Sequence, residues 1–321
     1  MRCLLSIIVL AIVTVSSATA GADEAAPSLI ADGNVDQAIA DLHGQIRTSP
    51  NDALAHNLLC RAYFSIGAWD NGITECEKAV ALDPNDAQFH LWLGRIYGEK
   101  ADKSRFWIAV TLAKKVVHQF EAAVRLNPRS IDARSDLAEF YLEAPGLVGG
   151  GRDKAEQQAN YLAAIDPATA DWVNARIAEK QGDFVTADRE YHRAIADSRG
   201  RASTWLNLGL FYKHQGHFDT MEEALLHVRS APLDRPDALV DAAEILIHTQ
   251  RNLPEAAELL RIYLDSGRKV EQAPAFKAHF LLGSAAEKLG QTKQAESEYK
   301  LALTLAKEFQ PAQEALERVS R

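Results

Sequence analysis

Cysteine is nearly missing from this chain: Cys3, Cys60 and Cys76 are the full complement in 321 residues. With no Cys-x-x-Cys pair, the metal and redox sites built on that motif are excluded. Positive charge is also short, 35 Lys and Arg against 44 Asp and Glu, a formal net charge of −9. Nucleic acid and anionic lipid both attract positive fields, so this balance argues against a general binder of either. Beyond residue 15 no apolar run is long and charge-free enough to cross a bilayer. The motifs H-E-x-x-H and G-x-S-x-G and the Rossmann glycine run are absent. Acids are spread over solvated faces, and no pair stands out as catalytic. Neither an enzyme nor a cofactor is expected.

The N-terminal residues form an address. Met1-Arg2 precedes an almost unbroken apolar run from Leu4 to Val15, and Ala18-Thr19-Ala20 then fits an A-x-A cleavage site. Residues 1–20 read as a secretory signal peptide removed after Ala20, which predicts a secreted or periplasmic protein. The competing reading is an uncleaved anchor, for which a single basic residue is weak support. In an oxidising compartment the surviving pair, Cys60 and Cys76, invites a disulfide.

Past the leader the chain repeats. From Asn51, Leu59, Tyr63, Gly67, Ala79 and Pro84 punctuate two apolar-periodic runs separated at Gly67, which predicts a helix, a tight turn and a second helix. His90, Leu93, Gly94 and Tyr97 then follow His56, Leu59, Cys60 and Tyr63 at a period of 34 residues. The pattern is strongest at Trp205, Leu208, Gly209, Tyr212 and Gly216, and clear again at His279, Leu282, Gly283, Gly290, Ala295, Tyr299 and Ala302. In this register the chain resembles the tetratricopeptide repeat family, with its W-x2-L-G-x2-Y, A-x3-F and closing proline. The resemblance implies an all-α, right-handed superhelical solenoid of antiparallel helix hairpins, about seven of them. It places a partial repeat at residues 21–50, an array at 51–309 and a capping helix at 310–321. A single hairpin cannot cover its own apolar face, so stacking buries it.

The register slips twice. Tyr97 to Pro128 spans 31 steps where Tyr63 to Pro84 spans 21, an insertion of ten residues near 98–108 rich in Phe106, Trp107 and Ile108. Ten helical residues lengthen a helix by about 15 Å, and most of the insert is expected in the second helix. It either packs on neighbouring hairpins or leaves an apolar ledge for a partner or membrane surface. The second slip adds five residues between Tyr141 and Pro167, at 145–151, where Gly149, Gly150 and Gly151 precede Arg152 and Lys154. A phosphate-binding loop needs a strand before it and Gly-Lys-Ser/Thr after it, and neither is present. A structural corner is expected, with a partner-contact loop as the alternative.

Within the resemblance, His56, His90 and His279 occupy the repeat's tryptophan slot and are expected to pack. His214 and His217 share a turn with Asp219 but lack further metal ligands, so no metal is expected. Cys60 and Cys76 fall in slots that antiparallel pairing brings close, as a disulfide or as two buried thiols. The resemblance also implies a concave face lined by first helices, whose outward residues read a peptide or partner helix. These are Asn57, Arg61 and Phe64, then Trp92 and Arg95, then Trp172 and Arg176, then Leu206, Asn207 and Lys213, with an acidic spot at Asp136 and Glu139. Asn57, Arg61 and Arg95 match the carboxylate grip of co-chaperone members only in part. The expected function is a non-enzymatic protein-interaction scaffold of the cell envelope. The alternatives are an enzyme or substrate-binding component using the 145–154 loop, and a self-associating structural protein. The alternative for the groove residues themselves is that some of them pack within a tight superhelix.

Overall fold

The computed structural model describes residues 20–321. The predicted signal peptide, residues 1–20, lies outside the described residues except for Ala20. Seventeen α-helices follow in eight hairpins and a cap, and no strand occurs among the described residues. The hairpins are α1 (Ala20–Ala31) with α2 (Val35–Thr48), α3 (Ala53–Ser65) with α4 (Trp69–Leu82), α5 (Ala87–Asp102) with α6 (Phe106–Leu126), and α7 (Ile131–Glu143) with α8 (Arg152–Ala163). Next come α9 (Pro167–Lys180) with α10 (Phe184–Asp197), α11 (Ala202–His214) with α12 (Phe218–Val228), α13 (Ala238–His248) with α14 (Leu253–Asp265), and α15 (Ala275–Lys288) with α16 (Thr292–Leu305). Helix α17 (Gln310–Val319) covers the last hairpin. The N-terminal repeat thus has its own first helix.

Local chemistry sets the helix starts. Asp52 and Asp86 accept the backbone N–H groups of Ala55 at 3.0 Å and Gln88 at 2.7 Å, capping α3 and α5. The tryptophan slot is a polar clip as much as an apolar filler. His56 bonds the Pro50 carbonyl at 3.1 Å and Glu75 of α4 at 2.5 Å. His90 bonds the Pro84 carbonyl at 3.0 Å and Gln119 of α6 at 2.6 Å, and Arg134 bonds the Pro128 carbonyl at 2.6 Å and Gln158 of α8 at 2.7 Å. Each clip ties a hairpin's entry loop to both of its helices, and it leaves few buried polar groups unpaired.

A second recurring contact joins hairpins to one another. The Tyr63 hydroxyl meets His43 at 2.9 Å, Tyr97 donates to Glu77, and Tyr141 donates to Glu121 at 2.9 Å, each reaching back 20 positions to the preceding second helix. Between these polar stitches lie apolar layers such as Leu91, Leu93, Ile96, Phe120 and Leu137. Gly94, Gly209 and Gly283 lie under Phe120, Leu225 and Tyr299 of the facing helices, where a side chain has no room.

The ten inserted residues are shared by the third hairpin's two helices. Helix α5 has 16 residues against 13 in α3, and α6 has 21 against 14 in α4. Helix propagation costs little once a turn exists, so the insertion lengthens both arms and moves the turn outward.

The array winds round until its ends meet. Ile30, Val35 and Ala38 of the first hairpin share one buried cluster with Ala62 and Ile66, and with Phe276, Ala302, Ala306 and Ala312 from the C-terminal helices. At Gly33 a Cβ would stand 2.9 Å from the Phe276 nitrogen, so the seam needs a bare backbone there. Lys269 pairs with Asp32 at 3.7 Å, and the Lys307 N–H donates to Asp36 at 3.2 Å across the same seam.

Candidate interaction surface

The first helices line the interior of this closed turn, and their inward charges form a ladder. Arg95 of α5 bonds Asp136 of α7 at 2.6 Å. Arg176 of α9 bonds Glu139 at 2.7 Å and Glu143 at 2.6 Å on α7, and Glu179 on its own helix at 2.7 Å. Lys277 of α15 bonds Glu244 of α13 at 2.9 Å. Arg61 of α3 grips Glu271 through both nitrogens, with Nε at 2.8 Å from a carboxylate oxygen.

Charges from distant hairpins also feel one another across the interior. Burial pushes the Asp136 carboxyl above its ordinary range, against the pull of Arg95 and of Arg235. Burial raises Glu99 likewise, while Lys277 of α15 opposes it. Asp241 rises to about 6 through burial, with Arg235 pulling down and Asp237 pushing up. Burial pulls the Arg176 pKa down, yet hydrogen bonding and charge from Glu139 push it higher overall. The concave face is therefore a half-dry ionic surface, in which Arg61, Arg95, Arg176 and Lys277 are each held by a carboxylate.

Of the residues assigned to the groove, Arg61, Phe64, Trp92 and Arg95 come together. The guanidinium groups of Arg61 and Arg95 lie 5.1 and 5.2 Å from the Trp92 ring, and Phe64 meets that ring edge-on at 5.5 Å. Trp92 itself is buried and Phe64 half-buried, so the arginines offer the accessible chemistry. Asn57 is fully buried. Trp172 packs against two core clusters, and Leu206 is inside a third. Arg176 is buried under its three carboxylates, while Asn207 and Lys213 are half-buried on α11. The second group is thus separate from the first and is mostly interior.

The glycine loop is a corner. Gly149 has φ 105, and a Cβ on Gly150 would fall 1.7 Å from the Ala144 carbonyl oxygen. The N–H groups of Gly149, Gly150 and Gly151 donate to the carbonyls of Gly146 (3.1 Å), Pro145 (3.2 Å) and Tyr141 (2.8 Å). Lys154 donates to the Gly149 carbonyl at 2.8 Å, and Arg152 pairs with Glu156 at 3.1 Å. The three glycine N–H groups are thus spent on carbonyls of the same loop and of α7. The loop's buried Val148, with Gly149 lying against Val117, packs the corner on the lengthened helix α6.

Cys60 and Cys76 are fully buried and joined, with Cα atoms 5.3 Å apart. His214 bonds Glu179 at 2.8 Å and His217 lies against Tyr212, and no cluster of three metal-ligating side chains occurs among the described residues. A cleft of about 360 Å³ opens beside Arg176, Lys180, Phe184 and His214. Another of about 420 Å³ opens at the seam between Asp36, Tyr63, Ile66 and Gln310.

The residue that sequence reading missed is Glu271. It sits in the connection between α14 and α15, outside the repeat register, and is held out by Tyr263. That buried hydroxyl accepts from the Val270 N–H at 2.9 Å and donates to the Ala273 carbonyl at 2.6 Å. The length of this connection, nine residues against four between α2 and α3, was its only signal.

Residues 29–96 and 249–311 each match a tetratricopeptide repeat family model. No curated protein matches the chain in sequence. Among solved structures the chain is similar to yeast Tom70, at 13% identity over 89% of this chain and 58% of that one, with a TM-score of 0.53. A thermophilic tetratricopeptide repeat protein of Thermus thermophilus aligns at 18% identity over 60% of this chain and 98% of its own, TM-score 0.49. A tetratricopeptide repeat protein of Parabacteroides merdae aligns at 12% identity over 95% and 100%, TM-score 0.48. The likeness is one of fold. The chain is an all-α, right-handed solenoid of stacked helix hairpins. The two matched segments, near either end of the chain, are tetratricopeptide repeats.

Proposed function

We propose that this protein is a non-enzymatic interaction scaffold of the cell envelope, secreted or periplasmic, that receives a peptide or partner helix on its concave face. The observation that carries the reading is the convergence of Arg61 and Arg95 on the Trp92 ring, with Glu271 bound to Arg61. Glu271 occupies the place that an acidic group of the partner would take. Binding then exchanges one carboxylate for another and adds apolar contact beside Phe64. Each apolar anchor buried there contributes roughly 1.5–3 kcal/mol, and ordering consumes part of it, which fits an affinity around micromolar (roughly −8 kcal/mol).

A photo-crosslinking residue placed at Phe64 in intact cells tests this. A stoichiometric foreign partner, lost on Arg61→Glu and retained on Lys213→Glu, is the expected result. Capture of nothing, or capture indifferent to Arg61, overturns the concave-face reading.

A further inference from the structure

The net charge of −9 conceals a local reversal. Residues 100–115 hold five basic side chains, Lys100, Lys103, Arg105, Lys114 and Lys115, and a single acid, Asp102. Lys100 and Lys115 are engaged by Asp70 and Glu77, while Arg105 and Lys114 have no ion pair among the described residues. Inside this basic collar the lengthened α5–α6 turn projects Phe106, Trp107 and Ile108, which are 65%, 79% and 52% exposed. The Phe106 and Trp107 rings meet edge to face at 5.0 Å, forming one apolar point. The hairpins stack in one direction, so their internal turns emerge on one rim of the closed turn. That rim also carries Leu147 and Val185, both exposed.

We propose that this rim docks on a membrane surface containing anionic lipid, with Phe106 and Trp107 seated at the headgroup–acyl boundary and Lys103 and Arg105 over lipid phosphates. The overall acidity excludes a general lipid binder, and the contact is confined to the tip. The shape selects the occupant. The apolar point is convex and stands beyond its neighbours, so a protein partner would need a matching pocket, whereas a fluid interface yields around it. Aromatic rings within a lysine and arginine collar are the composition that holds at the headgroup level. Each basic side chain near an anionic surface contributes about fivefold in affinity. The inference does not depend on what the concave face binds.

The test is cosedimentation of the chain processed at Ala20 with phosphatidylcholine vesicles, with and without phosphatidylglycerol. Binding is expected only with phosphatidylglycerol. It should be abolished by the double substitution Phe106→Ser and Trp107→Ser. Lys103→Gln with Arg105→Gln should weaken it about twentyfold or more. These side chains are exposed, so unchanged thermal melting is expected in both variants. Absence of wild-type binding, or binding that survives the aromatic double substitution, overturns the proposal. So does a concentration-dependent dimer that the same double substitution dissolves, because the point would then be covered by a second copy.

Discussion

Glu271, in the connection leading to α15, holds the guanidinium of Arg61 on α3, 210 positions earlier in the chain. This contact joins the last part of the solenoid to the beginning, and both side chains are mostly out of water. Charge-assisted hydrogen bonds of this kind contribute about 1.5–3 kcal/mol, and an abandoned partner adds a desolvation penalty. Glu271→Ala is therefore expected to lower stability by about 1–3 kcal/mol and to raise the radius of gyration in small-angle scattering, with Glu271→Gln intermediate. Unchanged scattering and melting in the alanine variant would show that the clasp holds nothing.

The glycine loop separates two kinds of glycine. Gly150→Ala drives a Cβ into the Ala144 carbonyl and is expected to destabilise by about 3 kcal/mol or more. Gly146 has open space around it, and Gly146→Ala should stay within about 0.5 kcal/mol. Urea melts of the pair decide the matter. Equal effects would mean that the loop is not the rigid corner described above.

The Cys60–Cys76 bridge spans 16 positions inside one hairpin. Reduction should lower stability by about 3 kcal/mol through the freed unfolded chain. Two thiols titrating with Ellman reagent in the unfolded, unreduced protein would rule out the bridge.

Asp171 gives the fold a readable pH dependence. Burial pushes its carboxyl up to about 6; Arg193, at 2.7 Å, pulls it down, while Asp197 and Glu190 push it up. The folded chain thus keeps a proton that the unfolded chain has released between about pH 4 and 6. This group's contribution to stability is fully present below about pH 4 and is lost as pH rises through 6. Asp171→Asn has no such loss. Its Tm relative to wild type should climb between about pH 5 and 7.5, and a pH-independent difference would refute the assignment.

The repeat architecture was legible because it is written in spacing. Leu59 and Leu93, like Tyr63 and Tyr97, recur 34 positions apart, an interval that stacked hairpins explain. The hairpin count came out one short, because the first helix, Ala20–Ala31, carries no repeat signature of its own and abuts the predicted leader. Most of the ten-residue insertion lies in α6, as expected; the lengthening of α5 from 13 to 16 residues was not legible, since apolar periodicity cannot say where a turn falls inside a lengthened hairpin.

The concave surface was harder still. Spacing assigns Arg61, Arg95 and Arg176 to the inner face, but it does not say who faces them. Asp136 and Glu139 were visible as an acidic spot; their pairing with Arg95 and Arg176 depends on how tightly the solenoid curls. Glu271 and Lys269 lie outside any repeat position, and only the length of their connection sets them apart locally. Packing between residues far apart in sequence decides such contacts.

The seam at Gly33 and Phe276 changes how the molecule comes apart. A linear stack loosens at its terminal units, each of which has a neighbour on one side only. Here the outermost hairpins brace each other, so neither can fray without exposing the other's interior. Mechanical or thermal failure should therefore begin at a weak joint along the circumference, and deletion of either end should undo both.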